Sequence, residues 1–283
     1  MLFNKTGEII KIGIIGYGSM GKMFLEKFIE TKTVEESDIF VSNRSYKKIM
    51  DLNNIFPNIN IFKDNISVAK NADILFICVR PLETKMVLSE IIDIIKENTH
   101  IVSLNGNILL KQIEQICINK KITRVYPSIT GEVNKSVTLI CYNKYVLDDD
   151  KNIIVKLLEC MGTVIEIPEN EFGMGGELTS CMPGFIGALF KVITDEAEKH
   201  TAISKSQILK MVIETLYGTS KILLEKDITF EQLINRVATK GGITEEGNKI
   251  IMKKFPKIIN DVYEKTMEKR RITMEKVQKD FTI

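Results

Sequence analysis

Residues 9–28 read Ile9-Ile10-Lys11-Ile12-Gly13-Ile14-Ile15-Gly16-Tyr17-Gly18-Ser19-Met20-Gly21-Lys22-Met23-Phe24-Leu25-Glu26-Lys27-Phe28. A β-branched run leads into a Gly-x-Gly-x-x-Gly turn, and apolar residues at helical spacing follow it: Met20, Met23, Phe24 and Phe28. Each glycine answers a different demand. Gly16 allows the tight turn, Gly18 lets a pyrophosphate come close to the backbone, and Gly21 lets helix and strand pack against each other. Ser19 and Met20 fall in the first helical turn, where unpaired N–H groups attract phosphate. The stretch predicts a dinucleotide-binding turn at the head of an α/β unit.

Outward from this turn the first 167 residues alternate short β-branched runs with helical patterns. The expected strands are Ile9–Ile15, Asp38–Val41, Ile59–Phe62, Ile74–Cys78, His100–Ser103, Ile122–Val125, Val137–Tyr142 and Thr163–Ile167. Leu82–Ile95, with Met86, Val87, Ile91, Ile94 and Ile95 on one stripe, is typical of the helices between them. The alternation implies a mostly parallel sheet covered on both faces, with Ile9–Ile15 and Ile74–Cys78 as central strands. After Pro168 the character changes. Gly173–Gly176 is followed by helical patterns alone, with capping boxes at Ser204/Gln207 and Thr229/Gln232 and a last helix expected from about Ile250. Two domains are expected, 1–168 and 169–283: a Rossmann-type dinucleotide-binding domain followed by an all-helical domain.

Composition narrows the function. Thirty-nine Lys and Arg against 37 Asp and Glu leave a net charge of +2, too little to draw nucleic acid or membrane from a distance. The apolar run Ile74–Val79 is far shorter than the roughly 20 residues a membrane span needs, and Met1–Gly7 shows no apolar signal core, so a soluble cytoplasmic protein is expected. Five scattered cysteines read as reduced thiols. The two histidines, His100 and His200, form no ligand spacing with them, so neither zinc nor a Cys/His nucleophile is expected. The chemistry then falls to a cofactor.

The end of the second strand indicates which cofactor. An NAD site usually carries an acidic residue there; this chain has Ser42-Asn43-Arg44-Ser45. Arg44 offers a fork of donors to a 2′-phosphate and Asn43 and Ser45 add neutral ones, so NADP is favoured; a solvated surface Arg is the plainer alternative. After the fourth strand, Val79-Arg80-Pro81 lies where open α/β sheets bind ligands, and Pro81 also suits the first position of a helix. In the helical half, Gly241-Gly242-Ile243-Thr244-Glu245-Glu246 reads first as a helix start and, within that reading, as a cradle of N–H groups for a carboxylate. Pro183-Gly184 marks a helix start or break.

Together these segments resemble the pyrroline-5-carboxylate reductase family over essentially the whole chain. The match comprises Gly16–Gly21 with Met20, the Asn43-Arg44-Ser45 turn, Asn65 before Asp73, Val79-Arg80-Pro81 and Gly241-Gly242-Ile243-Thr244. Tyr126-Pro127-Ser128-Ile129-Thr130, Ser180-Cys181 and the run from Gly242 to Gly247 are most similar to the branch named for the late competence protein ComER. The resemblance implies a helical domain in which two chains interlock, as a dimer or a ring of dimers. It also implies NADPH-dependent reduction of a cyclic imine to L-proline. Gly16, Gly18, Ser19, Met20 and Gly21 would hold the pyrophosphate, and Asn43, Arg44 and Ser45 the 2′-phosphate. Asn65, Val79, Arg80 and Pro81 would face the ribose and nicotinamide. Thr239, Gly241 and Gly242 would surround the substrate carboxylate, with Thr244 at the imine nitrogen.

Three segments depart from the family pattern. Ser180-Cys181-Met182-Pro183 stands where Gly-Ser-Gly-Pro is usual, Lys240 replaces a proline, and Ser103-Leu104-Asn105-Gly106 replaces an alanine-glycine turn. Met182 is expected to narrow the substrate site. A regulatory protein of the ComER kind, keeping fold and cofactor pocket without turnover, is one rival. The other is a β-hydroxyacid dehydrogenase, for which Gly184-Phe185-Ile186-Gly187 before Lys191 has a suitable spacing but Asp195 stands where asparagine is usual. Apolar residues Val212, Ile213, Leu216 and Tyr217 cover more of their helix than one small domain can bury, which points to a partner copy.

Overall fold

The computed structural model describes residues 7–282. The reading of Met1–Gly7 lies, but for Gly7, outside them. Eight strands form one sheet: β1 (Ile12–Ile15), β2 (Ile39–Ser42), β3 (Asn60–Phe62), β4 (Ile74–Ile77), β5 (His100–Ser103), β6 (Lys121–Tyr126), β7 (Ser136–Tyr142) and β8 (Gly162–Glu166). Their spatial order is β3-β2-β1-β4-β5-β6-β7-β8, with every neighbouring pair parallel except β6 and β7. All eight expected strands are present. β1 is shorter than read, because Ile9 lies outside it and is exposed.

Five helices lie among the strands: α1 (Ser19–Glu30), α2 (Asn65–Asn71), α3 (Pro81–Ile91), α4 (Leu110–Ile116) and α5 (Asp148–Glu159). Between β2 and β3 the chain makes only short 3-10 turns. Alternate strand residues face opposite sides of a sheet, so the two faces build two cores. On one face Ile12, Ile14, Val41, Phe76 and Val102 pack with Phe24 and Phe28 of α1 and Leu157 of α5. Phe24, Phe28 and Phe76 form an aromatic triangle with ring centroids 5.4 to 5.7 Å apart. On the other, Ile15, Leu75, Ile77 and Ile101 pack with Val68 of α2, Leu88 of α3 and Ile113 of α4.

Beyond β8 the chain is helical: α6 (Phe172–Gly176), a π-helical turn at Glu177–Cys181, α7 (Met182–Ala197), α8 (Lys205–Glu225), α9 (Phe230–Val237) and α10 (Ile243–Thr282). Both expected capping boxes are present; at α9 the Gln232 N–H donates to Thr229 Oγ1 at 3.2 Å and Thr229 N–H donates to Gln232 Oε1 at 2.8 Å. The last helix, expected from about Ile250, starts at Ile243 and runs unbroken through Pro256. Its first turn carries Glu245 and Glu246, which suit the positive end of the helix dipole, so its start belongs at the glycine pair.

The chain divides into two compact units. One comprises the described residues up to Pro183 and those from Met267 onward; the other is Gly184–Thr266. The compact division therefore does not coincide with the 168/169 boundary expected from composition, because α6, the π turn and the end of α10 pack with the sheet. Val277 and Phe281 of α10 belong to the second core, and Lys85 Nζ donates to the Asp280 carbonyl at 2.7 Å. Tyr126 of β6 is wedged between Gly106 and Gly176, where an added Cβ would stand 2.7 and 2.3 Å from its ring. Arg270 of α10 then pairs with the buried Glu177 at 2.8 Å and lies over the Tyr126 ring. In Gly184–Thr266 only Thr194 and Ile208 are buried among the described residues. No helix is long and apolar enough to cross a membrane among those residues, and all five cysteines are free thiols.

His100, the first residue of β5, is a structural histidine. Its Nε2 lies 2.6 Å from Thr123 Oγ1, and burial pushes its pKa from the ordinary 6.5 down to about 4, with Asp150 opposing and Lys121 assisting. The unfolded chain takes up the proton first, so stability is full above pH 6.5 and falls as pH drops toward 4. The loss should be on the order of 3 kcal/mol. Chemical unfolding between pH 7 and 4.5 should show this slope in the wild type and a flatter one in His100→Gln; equal slopes would remove His100 as the cause.

Candidate cofactor cleft and substrate turn

From β1 the chain leaves to β2 on one side and, later, to β4 on the other, so the crevice above their carboxyl ends is the switch point where doubly wound sheets bind ligands. Three loops converge there. Gly16, with φ +102°, donates its N–H to the Ser42 carbonyl at 2.9 Å, joining the glycine turn to the end of β2. Tyr17 N–H donates to Asn43 Oδ1 at 2.9 Å, and Asn43 Nδ2 donates to the Ser45 carbonyl at 2.9 Å, which shapes the turn that carries Arg44. Ser42 Oγ donates to Asn65 Oδ1 at 2.8 Å and sets Asn65 at the start of α2.

The glycines behave as three different positions. A Cβ at Gly16 would stand 2.7 Å from the Cys78 carbonyl oxygen, and one at Gly21 only 2.0 Å from that of Gly16, so both are required by the protein's own backbone. A Cβ at Gly18 would meet nothing within 4 Å. Gly18 is the N-cap of α1 and has no side chain to cover the first N–H groups, leaving a cradle open to an anion. A pyrophosphate fits this arrangement.

Gly16, Gly18, Asn43, Arg44, Ser45, Asn65, Val79 and Arg80 line one cleft of about 470 Å³, together with Lys48 and Lys63. Ser19, Met20 and Gly21 form the adjoining first turn of α1, and Pro81 is the first residue of α3. Eight of the twelve cofactor-side residues singled out in the sequence thus line this cleft, and the other four follow them directly in the chain. Thr239, Gly241, Gly242 and Thr244 gather separately at the start of α10. There Gly242 N–H donates to the Thr239 carbonyl at 2.9 Å and Gly241 takes φ +72°. Glu245 Oε2 accepts the Gly241 N–H at 2.5 Å, so a carboxylate of the chain itself already sits on the turn.

Among the cleft residues that escaped the sequence reading are Glu83 and Glu90. Glu83 Oε1 accepts from Arg44 Nη1, and Glu90 Oε2 accepts from Asn65 Nδ2 at 2.8 Å. Their spacing of seven residues places them on one face of α3, which was the only sign available beforehand. Asn105, in the turn that departs from the family pattern, donates to the Val79 carbonyl at 3.2 Å and to Thr84 Oγ1 at 3.1 Å, cross-linking the turns after β4 and β5. Lys191 is an exposed helix-surface residue paired with Asp195. No cluster of His, Cys, Asp and Glu able to hold a metal occurs among the described residues.

A family model described as pyrroline-5-carboxylate reductase dimerisation matches residues 169–272, and one described as NADP oxidoreductase, coenzyme F420-dependent, matches residues 11–106. Pyrroline-5-carboxylate reductase 3 of Bacillus subtilis (strain 168) is 32% identical over 271 residues, covering 95% of this chain and 98% of the relative. The chain belongs to the pyrroline-5-carboxylate reductase family. Another relative in B. subtilis, ComE operon protein 4, is 27% identical over 274 residues, covering 97% of this chain and 100% of its own. Among solved structures, Plasmodium falciparum pyrroline carboxylate reductase with NADP bound superposes with a TM-score of 0.84. It covers 94% of this chain and 99% of its own at 22% identity, a likeness of fold. Within the family frame, Met182 is the first residue of α7, immediately after the π-helical turn, and Lys240 precedes the glycine pair.

Proposed function

We propose that the protein is an NADP-dependent pyrroline-5-carboxylate reductase, reducing 1-pyrroline-5-carboxylate to L-proline in proline biosynthesis. The observation that carries the reading is the make-up of the switch-point cleft. Its glycine turn leaves Gly18 facing open space, and its β2 end presents Asn43, Arg44 and Ser45 where an NAD site has a carboxylate. When bound, NADPH supplies the hydride for the imine carbon. The chain's own residues bind and orient. Gly16, Gly18, Ser19, Met20 and Gly21 hold the pyrophosphate, and Asn43, Arg44 and Ser45 the 2′-phosphate. Asn65, Val79, Arg80 and Pro81 border the ribose and nicotinamide side. Thr239, Gly241 and Gly242 receive the substrate carboxylate, for which Glu245 gives up the Gly241 N–H. Thr244 Oγ1 bonds the imine nitrogen, a contribution of about 1 to 3 kcal/mol as the charge there changes.

The working form is a homodimer joined through the helical unit, or a ring of such dimers. In its support, Leu209, Met211, Ile213 and Tyr217 of α8 stand exposed, Tyr217 at 64%, an apolar surface out of place on a lone chain in water. Light scattering at micromolar concentration should show a multimer; a single-chain mass would overturn this.

The experiment that tests the reaction is NADPH oxidation with pyrroline-5-carboxylate, set against a panel of hydroxyacids. Thr244→Val should bind NADPH as the wild type does and lose roughly 10- to 100-fold in turnover. Lys191→Ala should be active, whereas a hydroxyacid dehydrogenase would be crippled by it. A regulatory role is the second reading, favoured by the relative named ComE operon protein 4 and by Met182 in place of a small residue. A folded, NADPH-binding wild type inert toward the imine at every pH would select it. Met182→Gly with Lys240→Pro should then restore turnover if those two side chains closed the site.

A further inference from the structure

Arg44 is held in the cleft by a partner of its own. Glu83 is the third residue of α3; one carboxylate oxygen takes the Arg44 guanidinium, and the other accepts the Arg80 N–H at the helix start at 3.4 Å. The carboxylate is therefore placed by the helix and stays in the cleft whether or not Arg44 is present. The Arg44 side chain itself is 79% exposed, and among the described residues Glu83 is its ion-pair partner. An exposed pair of this kind is weak enough to be exchanged and strong enough to bias a competition.

We propose that Glu83 is a specificity-determining residue for the cofactor, competing with the 2′-phosphate for Arg44 and so narrowing the preference for NADPH over NADH. The inference rests on the reading of Arg44 as the 2′-phosphate ligand. A phosphate monoester carries close to two negative charges at neutral pH. To reach Arg44 it must displace Glu83 and then share the cleft with that carboxylate, while Lys48 and Lys63, which also line the cleft, attract it. NADH meets neither obstacle. Its 2′-hydroxyl can donate to Glu83, so α3 supplies the acidic group that the end of β2 lacks. In dinucleotide-binding folds generally, cofactor choice is read at the end of β2; here it is divided between that turn and the first turn of α3.

The test is calorimetric titration of the full-length protein with NADP and with NAD, for the wild type and Glu83→Gln. Glutamine keeps the reciprocal helix-start bond, so α3 stays in place. Thermal unfolding checks this. Removing the charge should tighten NADP roughly fivefold and leave NAD unchanged or weaker, widening the NADP:NAD ratio, with a steeper salt dependence for NADP. An unchanged or smaller ratio in a folded Glu83→Gln protein overturns the proposal, because it would mean that Glu83 is neutral or that it orients Arg44 for the phosphate. A wild type that binds neither nucleotide overturns the cofactor reading itself, a separate failure visible before any variant is made.

Discussion

Gly18→Ala should fold as the wild type does and lose NADPH, whereas Gly21→Ala should lose stability outright. The two glycines belong to the same hexapeptide and differ in what surrounds them. An added methyl at Gly18 enters empty space above the first turn of α1, the position a pyrophosphate needs. The N-cap change itself costs at most about 1 kcal/mol. NADPH affinity should fall at least roughly tenfold, since the phosphate can no longer reach the N–H groups. At Gly21 the methyl would stand 2.0 Å from a carbonyl oxygen and near Cys78, so α1 must lift from β1 and the Phe24–Phe28–Phe76 triangle must open with it. Overpacking against backbone at the centre of a core should cost about 3 kcal/mol or more. Thermal unfolding and nicotinamide-fluorescence titration of both variants decide the matter. Wild-type affinity in Gly18→Ala would remove the turn from the cofactor site.

The second large effect is expected at Arg270. Its side chain is largely buried, its Nη2 holds Glu177 at 2.8 Å, and the Glu177 side chain is 1% exposed. Arg270→Ala strands that carboxylate, and breaking a buried pair by deleting one partner costs about 3 to 5 kcal/mol. The double variant Arg270→Met, Glu177→Leu should recover most of the loss, because no charge is then left without a partner. Among the described residues none is placed to hydrogen-bond Glu177 Oε2 or Arg270 Nε, so an apolar replacement forfeits little. Additive losses in the double variant, measured by denaturant unfolding, would show that the pair is not the unit of stability.

The fold was legible because its signals are local. β-branched runs of four to seven residues between polar turns mark all eight strands, and Gly-x-Gly-x-x-Gly fixes the switch point before any contact is known. The β2 turn was legible for the same reason, since Asn43, Arg44 and Ser45 are consecutive. Glu83 was not, because its importance lies in meeting Arg44 in the cleft, 39 residues away in the chain, which only the tertiary packing of α3 beside α2 brings about. The start of α10 was misplaced although its acids and its glycine pair were noticed. Pro256 weakens the helical signal around Ile250, and the continuous helix is visible only when the turn at Gly241 and Gly242 is taken as its beginning. The membership of Val277 and Phe281 in the sheet's second core leaves no trace nearby except their spacing of four.

That membership has a consequence for the order in which the molecule can be made. A ribosome delivers all eight strands before it delivers Val277 and Phe281, and the whole of Gly184–Thr266 emerges in between. Until α10 is complete, the part of the second core that Val277 and Phe281 fill remains open to solvent, so the sheet-bearing unit matures only after Gly184–Thr266 has been synthesised. A fragment ending at Pro183 should accordingly aggregate or bind a hydrophobic dye, and supplying 267–282 as a separate peptide should suppress both.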